Sequence, residues 1–286
     1  MKSVYILLFI GLIPAFGFSQ NHIRPSAYFQ DMLLYNPAAL PIMNGASNRF
    51  IFNGRTKIIP ENQPIWNNNF SLFANYLKVN DTNNSYYHIG YIHDKYSFFN
   101  RNSFYAGYGK RVNLGENSSV TFGGNFTLHT DLISWSDFML PHNETGGSLR
   151  LSPDIDFGTQ FQWKGFKLGA SLKNLIGLSQ KLEEKSVIRT QRVVVLNTSY
   201  EFLIAERITI APYFLLFQEL KTDLDAGLFL SFDNKINASY LIRITELRSV
   251  LTLESRVFEG FSLGASYDTS PLFPDNNFDI FVRRFF

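Results

Sequence analysis

Cysteine is absent from all 286 residues, which removes disulfide staples, thiol nucleophiles and cysteine-based metal sites together. An excess of charge of one sign is also missing. The 26 Lys and Arg against 24 Asp and Glu leave a formal net charge of +2, so nothing favours nucleic acid as a partner. After the N-terminal segment no stretch approaches the about 18 consecutive apolar residues of a membrane-spanning helix. Aromatic residues are what the chain has in quantity. There are 29 Phe and 14 Tyr, yet the mean hydropathy is only −0.06. A transmembrane β-barrel reconciles the two, because half of each strand faces lipid and half faces the interior.

The N-terminus reads as an export address. Lys2 precedes an apolar run from Val4 to Ile13, followed by Pro14 and small residues as far as Gly17 and Ser19. This order predicts a secretory signal over residues 1–19, cleaved before Gln20, and an outer-membrane destination. Residues 20–46 carry Pro25, Pro37 and Pro41. They are expected to form a periplasmic N-terminal extension, or a plug tucked into the lumen, ahead of a barrel over residues 47–286.

Alternation with a period of two dominates the remainder of the chain. Val120, Phe122, Phe126 and Leu128 alternate with Thr121, Gly123, Asn125, Thr127 and His129, and Ile155, Phe157, Phe161 and Trp163 alternate with Asp154, Asp156, Gly158, Gln160 and Gln162. Similar runs begin near residues 222, 235 and 261. The runs last about ten residues, as a tilted strand needs to cross a bilayer. Strands are predicted at 47–56, 67–77, 85–95, 101–111, 118–130, 153–163, 166–174, 190–202, 207–217, 222–232, 235–244, 247–257, 261–268 and 278–286. The fold class is therefore an all-β transmembrane antiparallel barrel of 14 strands, with the polar parity facing a wet lumen. Lys164-Gly165, Asp233-Asn234 and Glu259-Gly260 are tight hairpin turns on one rim. The longest connections, 57–66, 131–152 and 175–189, all fall on the other rim, which places them outside the cell. Phe278, Ile280, Val282 and Phe286 share one parity, and Phe286 is expected to serve as the C-terminal assembly signal. Arg284 breaks that stripe where a long basic side chain can snorkel.

Candidates for chemistry are few. The five His form no metal-type pair with one another or with a carboxylate, so no metal, cofactor or catalytic residue is expected. A hydrolase would need His129 and Asp131 beside a rim serine. Inward Asp154, Asp156, Asp223 and Asp225 face inward Lys167, Lys173, Lys235 and Arg243, and a cross-lumen lattice of ion pairs is favoured over a bare charged pore. Loop residues Trp135, Phe138, Met139 and Leu140 are candidate partner-binding aromatic and apolar groups.

The segment Arg24-Pro-Ser-Ala-Tyr-Phe-Gln-Asp-Met-Leu-Leu-Tyr-Asn36-Pro37-Ala38-Ala39 resembles the opening of the PorP/SprF family of type IX secretion and gliding-motility outer-membrane proteins. Leu168 to Leu175 is similar to a recurrent mid-barrel strand of that family. The resemblance implies a non-enzymatic barrel in outer-membrane lipid, touching periplasmic type IX secretion components. It further implies that the barrel anchors a secreted cell-surface protein, an adhesin, through that protein's C-terminal domain. An outer-membrane porin or solute transport barrel is the alternative.

Overall fold

Alternating sequence becomes alternating exposure in the computed structural model, which describes residues 31–40, 48–58, 70–96, 99–134, 147–177, 179–182, 186–189, 191–204, 206–219, 221–270 and 276–286. Its strands are β1 (Arg49–Ile58), β2 (Phe70–Asn80), β3 (Ser85–Tyr96), β4 (Phe99–Gly115), β5 (Ser118–Ser134), β6 (Gly147–Trp163), β7 (Phe166–Lys173) and β8 (Val193–Tyr200, continued by Phe202–Ile204). They continue as β9 (Ile208–Gln218), β10 (Thr222–Phe232), β11 (Ile236–Arg243), β12 (Arg248–Phe258), β13 (Phe261–Thr269) and β14 (Asn276–Phe285). Because the two pieces of β8 follow one another along the same partner, the 15 hydrogen-bonded segments make 14 strands. Each pairs antiparallel with its sequence neighbours, and β1 closes the ring on β14 from Arg49↔Phe285 to Ile58↔Asn276. Closure pairs every strand on both sides over at least part of its length, as a wall in hydrocarbon requires. A separate two-stranded hairpin, Ser179–Leu182 with Ser186–Arg189, lies in the β7–β8 connection.

Lipid-facing positions are apolar. Phe122, Phe126, Ile155, Phe157, Leu228, Leu230, Leu251, Leu253 and Ile280 are exposed, while their sequence neighbours Thr121, Asn125, Asp154, Asp156, Ser231, Thr252 and Asp279 are buried inside. The turn at Asp233-Asn234 has φ of 51° and 53°, the two left-handed residues whose twist matches a tight hairpin. The barrel seam ends at Phe286, whose N–H donates to the Asn48 carbonyl at 2.9 Å. Its ring is outward and exposed, with the Arg284 guanidinium 4.8 Å above it.

Four inward aromatic rings lie over glycines directly across the ladder: Tyr86 over Gly109, Tyr105 over Gly90, Tyr213 over Gly227 and Phe281 over Gly264. A Cβ on any of these glycines would stand 2.0–2.5 Å from the ring. The missing side chain lets each ring fold flat against the wall, a cross-strand pairing that clears lumen volume.

Three expectations need correction. The connection 131–152 is shorter than expected, because β5 runs on to Ser134 and β6 begins at Gly147. Lys235 does not face the lumen; it is exposed in the β10–β11 turn. The lumen is not polar throughout either. Val193, Val195, Ala211, Tyr213, Leu215, Phe217, Phe229, Leu241 and Val250 point inward and form one apolar cluster. The expected signal at 1–19 and Trp135, Phe138, Met139 and Leu140 lie outside the described residues.

Candidate functional site: an occupied lumen

The barrel interior holds part of its own chain. Asp31 to Leu40 read Asp-Met-Leu-Leu-Tyr-Asn-Pro-Ala-Ala-Leu, too short for a stable helix by itself, so the backbone is satisfied by two successive tight turns. Met32–Leu34 form a 3-10 turn whose Met32 carbonyl accepts from Tyr35 N–H at 2.9 Å and Asn36 N–H at 2.8 Å. Asn36 then makes a local turn of its own: its Oδ1 accepts from Ala38 N–H and its carbonyl accepts from Ala39 N–H, both at 2.9 Å. Pro37 lacks an N–H and so leaves no donor unsatisfied.

The wall is shaped to receive this segment. Asn36 Nδ2 donates to Asn197 Oδ1 on β8 at 3.0 Å and to the Thr159 carbonyl on β6 at 3.2 Å. Tyr86 OH on β3 donates to the Pro37 carbonyl. On β7, Ser171 Oγ donates to the Tyr35 carbonyl and Lys173 Nζ to the Leu34 carbonyl, each at 2.6 Å. At the other end Asp31 accepts from Arg49 Nη2 at 2.9 Å and from Asn75 Nδ2 at 2.6 Å.

Three glycines on adjacent strands cradle the turn. A Cβ at Gly123 would stand 2.2 Å from the Pro37 carbonyl oxygen, at Gly158 2.1 Å from Asn36 Oδ1, and at Gly169 2.6 Å from Asn36 Nδ2. Gly123 and Gly158 face each other across β5 and β6. Any side chain there would fill the space that the turn occupies.

The apolar side chains of the segment turn to the opposite wall. Met32, Leu34, Tyr35 and Ala39 join the inward cluster of β8–β12, with Tyr35 edge-on to Phe217 at 5.2 Å between centroids. Leu33 packs with Leu77 and Tyr86. Asn36 and Ala38 are fully buried. The family-type motif Asn36, Pro37, Ala38 therefore sits at the centre of the seat.

Charge in the lumen is paired. Asp268 accepts from Arg248 Nε at 2.7 Å, Arg55 Nη2 at 3.0 Å and Arg243 Nη1 at 3.1 Å, and Glu254 holds Arg283 at 2.9 Å. Ion pairs do cross the lumen, but they gather on Asp268 and Glu254, which were not expected; of the expected residues Arg243 takes part, and Asp154 and Asp156 are engaged differently. Those two carboxylates accept backbone N–H groups instead: Asp156 Oδ1 from Asn174 at 2.9 Å, and Asp154 Oδ1 from Ile176 at 3.1 Å. Lys167 pairs with Glu201 at 2.5 Å.

The described histidines are dispersed. His129 Nδ1 is 2.7 Å from Ser103 Oγ, but Asp131 accepts from Arg101 Nε at 2.6 Å and Nη2 at 3.1 Å. The Asp131 carboxylate is thus engaged by a guanidinium. His93 faces outward against Asn102 at 2.9 Å, and His88 lies buried in the lumen. Among the described residues no group of three His, Asp or Glu is placed to hold a metal.

The sequence profile of the family described as type IX secretion system membrane protein PorP/SprF matches residues 17–283. The chain belongs to this family. That match spans the lumen segment as well as the barrel. Among curated proteins no sequence relative matches. Solved structures with the same architecture include the Ralstonia pickettii toluene transporter TbuX, with a TM-score of 0.58 and 9% identity over 90% of this chain and 94% of that one. Omp33, an outer membrane protein of Acinetobacter baumannii, gives 0.55 and 9% over 85% and 100%. At such identity the likeness is one of fold: an outer-membrane barrel.

Proposed function

We propose that this family member is an outer-membrane anchor, holding a secreted cell-surface protein of the adhesin kind through its C-terminal domain at the long-loop rim. The observation that carries this reading is the occupied lumen. Residues 31–40 are clamped to β1, β2, β3, β6, β7 and β8 by hydrogen bonds, and they fill the place a solute path would need. A barrel closed in this way offers its rims rather than its interior, and loops on a rigid scaffold are where binding residues gather. Family membership supports secretion-system components as partners, and this reading assigns them to the periplasmic rim and an exported protein to the outer one. The expected export signal at 1–19 and the assembly role of Phe286 belong to the same reading.

The test is mild detergent extraction of the tagged protein from its native outer membrane, followed by mass spectrometry and planar-bilayer recording. A stoichiometric secreted protein held through its C-terminal domain, with a silent bilayer, is the expected result. A barrel that emerges alone and conducts overturns the anchor and leaves the transport reading.

A further inference from the structure

The wall changes height abruptly between β6 and β7. β5 and β6 pair along their whole length, from Ser118↔Trp163 to Ser134↔Gly147. The β6–β7 ladder covers only Phe157↔Leu172 to Trp163↔Phe166. One more bond, from Leu175 N–H to the Ile155 carbonyl at 3.0 Å, ends the contact.

This ending is built, not frayed. Asp156 and Asp154 take the N–H groups of Asn174 and Ile176. Asn174 Nδ2 is tied to the Gln191 carbonyl at 2.8 Å, and Asn174 and Gly177 adopt φ of 56° and 54°, turning the chain away. Above this point β6 carries β5 on one side and, among the described residues, no strand on the other.

The Ile155 carbonyl points to the β7 side, so by strand alternation the main-chain groups of Pro153, Leu151, Leu149 and Gly147 point the same way. Pro153 has no N–H and occupies the lowest free position, where proline is tolerated at an edge. The usable ladder is Leu151, Leu149 and Gly147, with three donors and three acceptors. Leu151 is also 57% exposed on the outward face, continuous with exposed Ile155.

We infer that the β6 edge from Gly147 to Leu151 is a strand-addition site that takes an extended segment of the anchored surface protein. The proposal rests on the anchoring reading and gives it a place. The occupant is a proline-free stretch of about five residues, pairing antiparallel to β6 with apolar side chains on the face shared with Leu151. Main-chain bonds supply affinity and the alternate side chains supply selection.

A photo-crosslinking benzoylphenylalanine replaces Ile176, which is exposed beside the foot of the edge, in the full-length protein in its native outer membrane. The expected adduct maps to an extended segment of a secreted surface protein. Leu151→Pro, which removes the central donor without touching the β5 ladder, is expected to lower adduct yield about tenfold, the equivalent of about 1.4 kcal/mol. Leu151→Thr keeps the donor and is expected to keep the adduct. Heat-modifiable migration on gels checks that both variants remain folded. An adduct within this chain's own residues 178–190, an adduct between two copies, or a yield indifferent to Leu151→Pro overturns the edge site. If a surface protein is still held in those cases, anchoring survives and only its place is wrong. If no surface protein is held by the unaltered barrel, the anchoring reading itself fails.

Discussion

The inner faces of β5–β7 and of β8–β9 lie across the same ten-residue segment and are made of opposite materials. The first presents Thr121, Gly123, Asn125, Asp156, Gly158, Gln160, Gly169 and Ser171; the second presents Val193, Val195, Tyr213, Leu215 and Phe217. The segment matches both. Its carbonyls and the Asn36 amide are spent on the glycine-rich wall, and Met32, Leu34 and Tyr35 on the apolar one. A water-filled pore needs no apolar wall, and burying one removes about 25 cal/mol per Å² of unfavourable hydration. The lumen is thus organised as a protein core with a polar clamp on one side.

Substitutions can set one wall against the other. The largest effect is expected from Gly158→Val on the clamp side. Its Cβ would lie 2.1 Å from Asn36 Oδ1, so the turn cannot stay seated, and the polar and apolar contacts of the segment are lost together. A loss of more than about 4 kcal/mol in urea unfolding from lipid vesicles is expected, with ion conductance appearing in planar bilayers. A silent bilayer with unchanged stability would mean the segment is not held by this seat. Asp31→Ala comes next. It removes the carboxylate that accepts from buried Arg49 and from Asn75, and losing such charge-assisted bonds should cost about 3 kcal/mol in the same urea unfolding.

On the opposite wall, Phe217→Ala removes the ring that meets Tyr35 edge-on. About 3 kcal/mol of stability should go while the bilayer stays silent, since the bonds to Asn36, Tyr35 and Leu34 remain. Conductance in this variant would show instead that the apolar wall retains the segment.

Much of this architecture could be read from the sequence, and the failures have physical causes. Strands β5, β6, β10 and β11 announced themselves because one face meets lipid and the other meets small polar groups, so parity alone fixed their orientation. The β8 and β9 stretches, Val193-Val-Val-Leu196 and Tyr213-Phe-Leu-Leu-Phe217, are apolar on both faces. They gave strands without a direction, and the apolar lumen wall went unseen. Continuous hydrophobicity was itself the available signal, since a strand buried on both sides reads that way. The Asn36-Pro37-Ala38 motif marked the right place but not its partners, because Gly123, Gly158 and Gly169 are spread over three strands that only the register brings together. Asp154 and Asp156 misled for a different reason. Inward carboxylates suggest ion pairs, and nothing local reveals that two backbone donors of the next connection will claim them.

Those two aspartates offer the finest test of the contrast between a tall and a short wall. Asp156→Asn keeps an oxygen for Asn174 N–H but discards its charge, and a charge-assisted bond exceeds a neutral one by about 1 kcal/mol. The exit turn at Asn174–Gly177 should loosen by that amount, seen as about fivefold faster amide exchange there, with the Phe157↔Leu172 to Trp163↔Phe166 ladder unchanged. If the ladder also exchanged faster, β7 would be held by its turn, and the step in the wall would be a consequence of weak pairing. Unchanged ladder protection assigns the step to the turn, so that the height of β7 is set by where two carboxylates on β6 stop it.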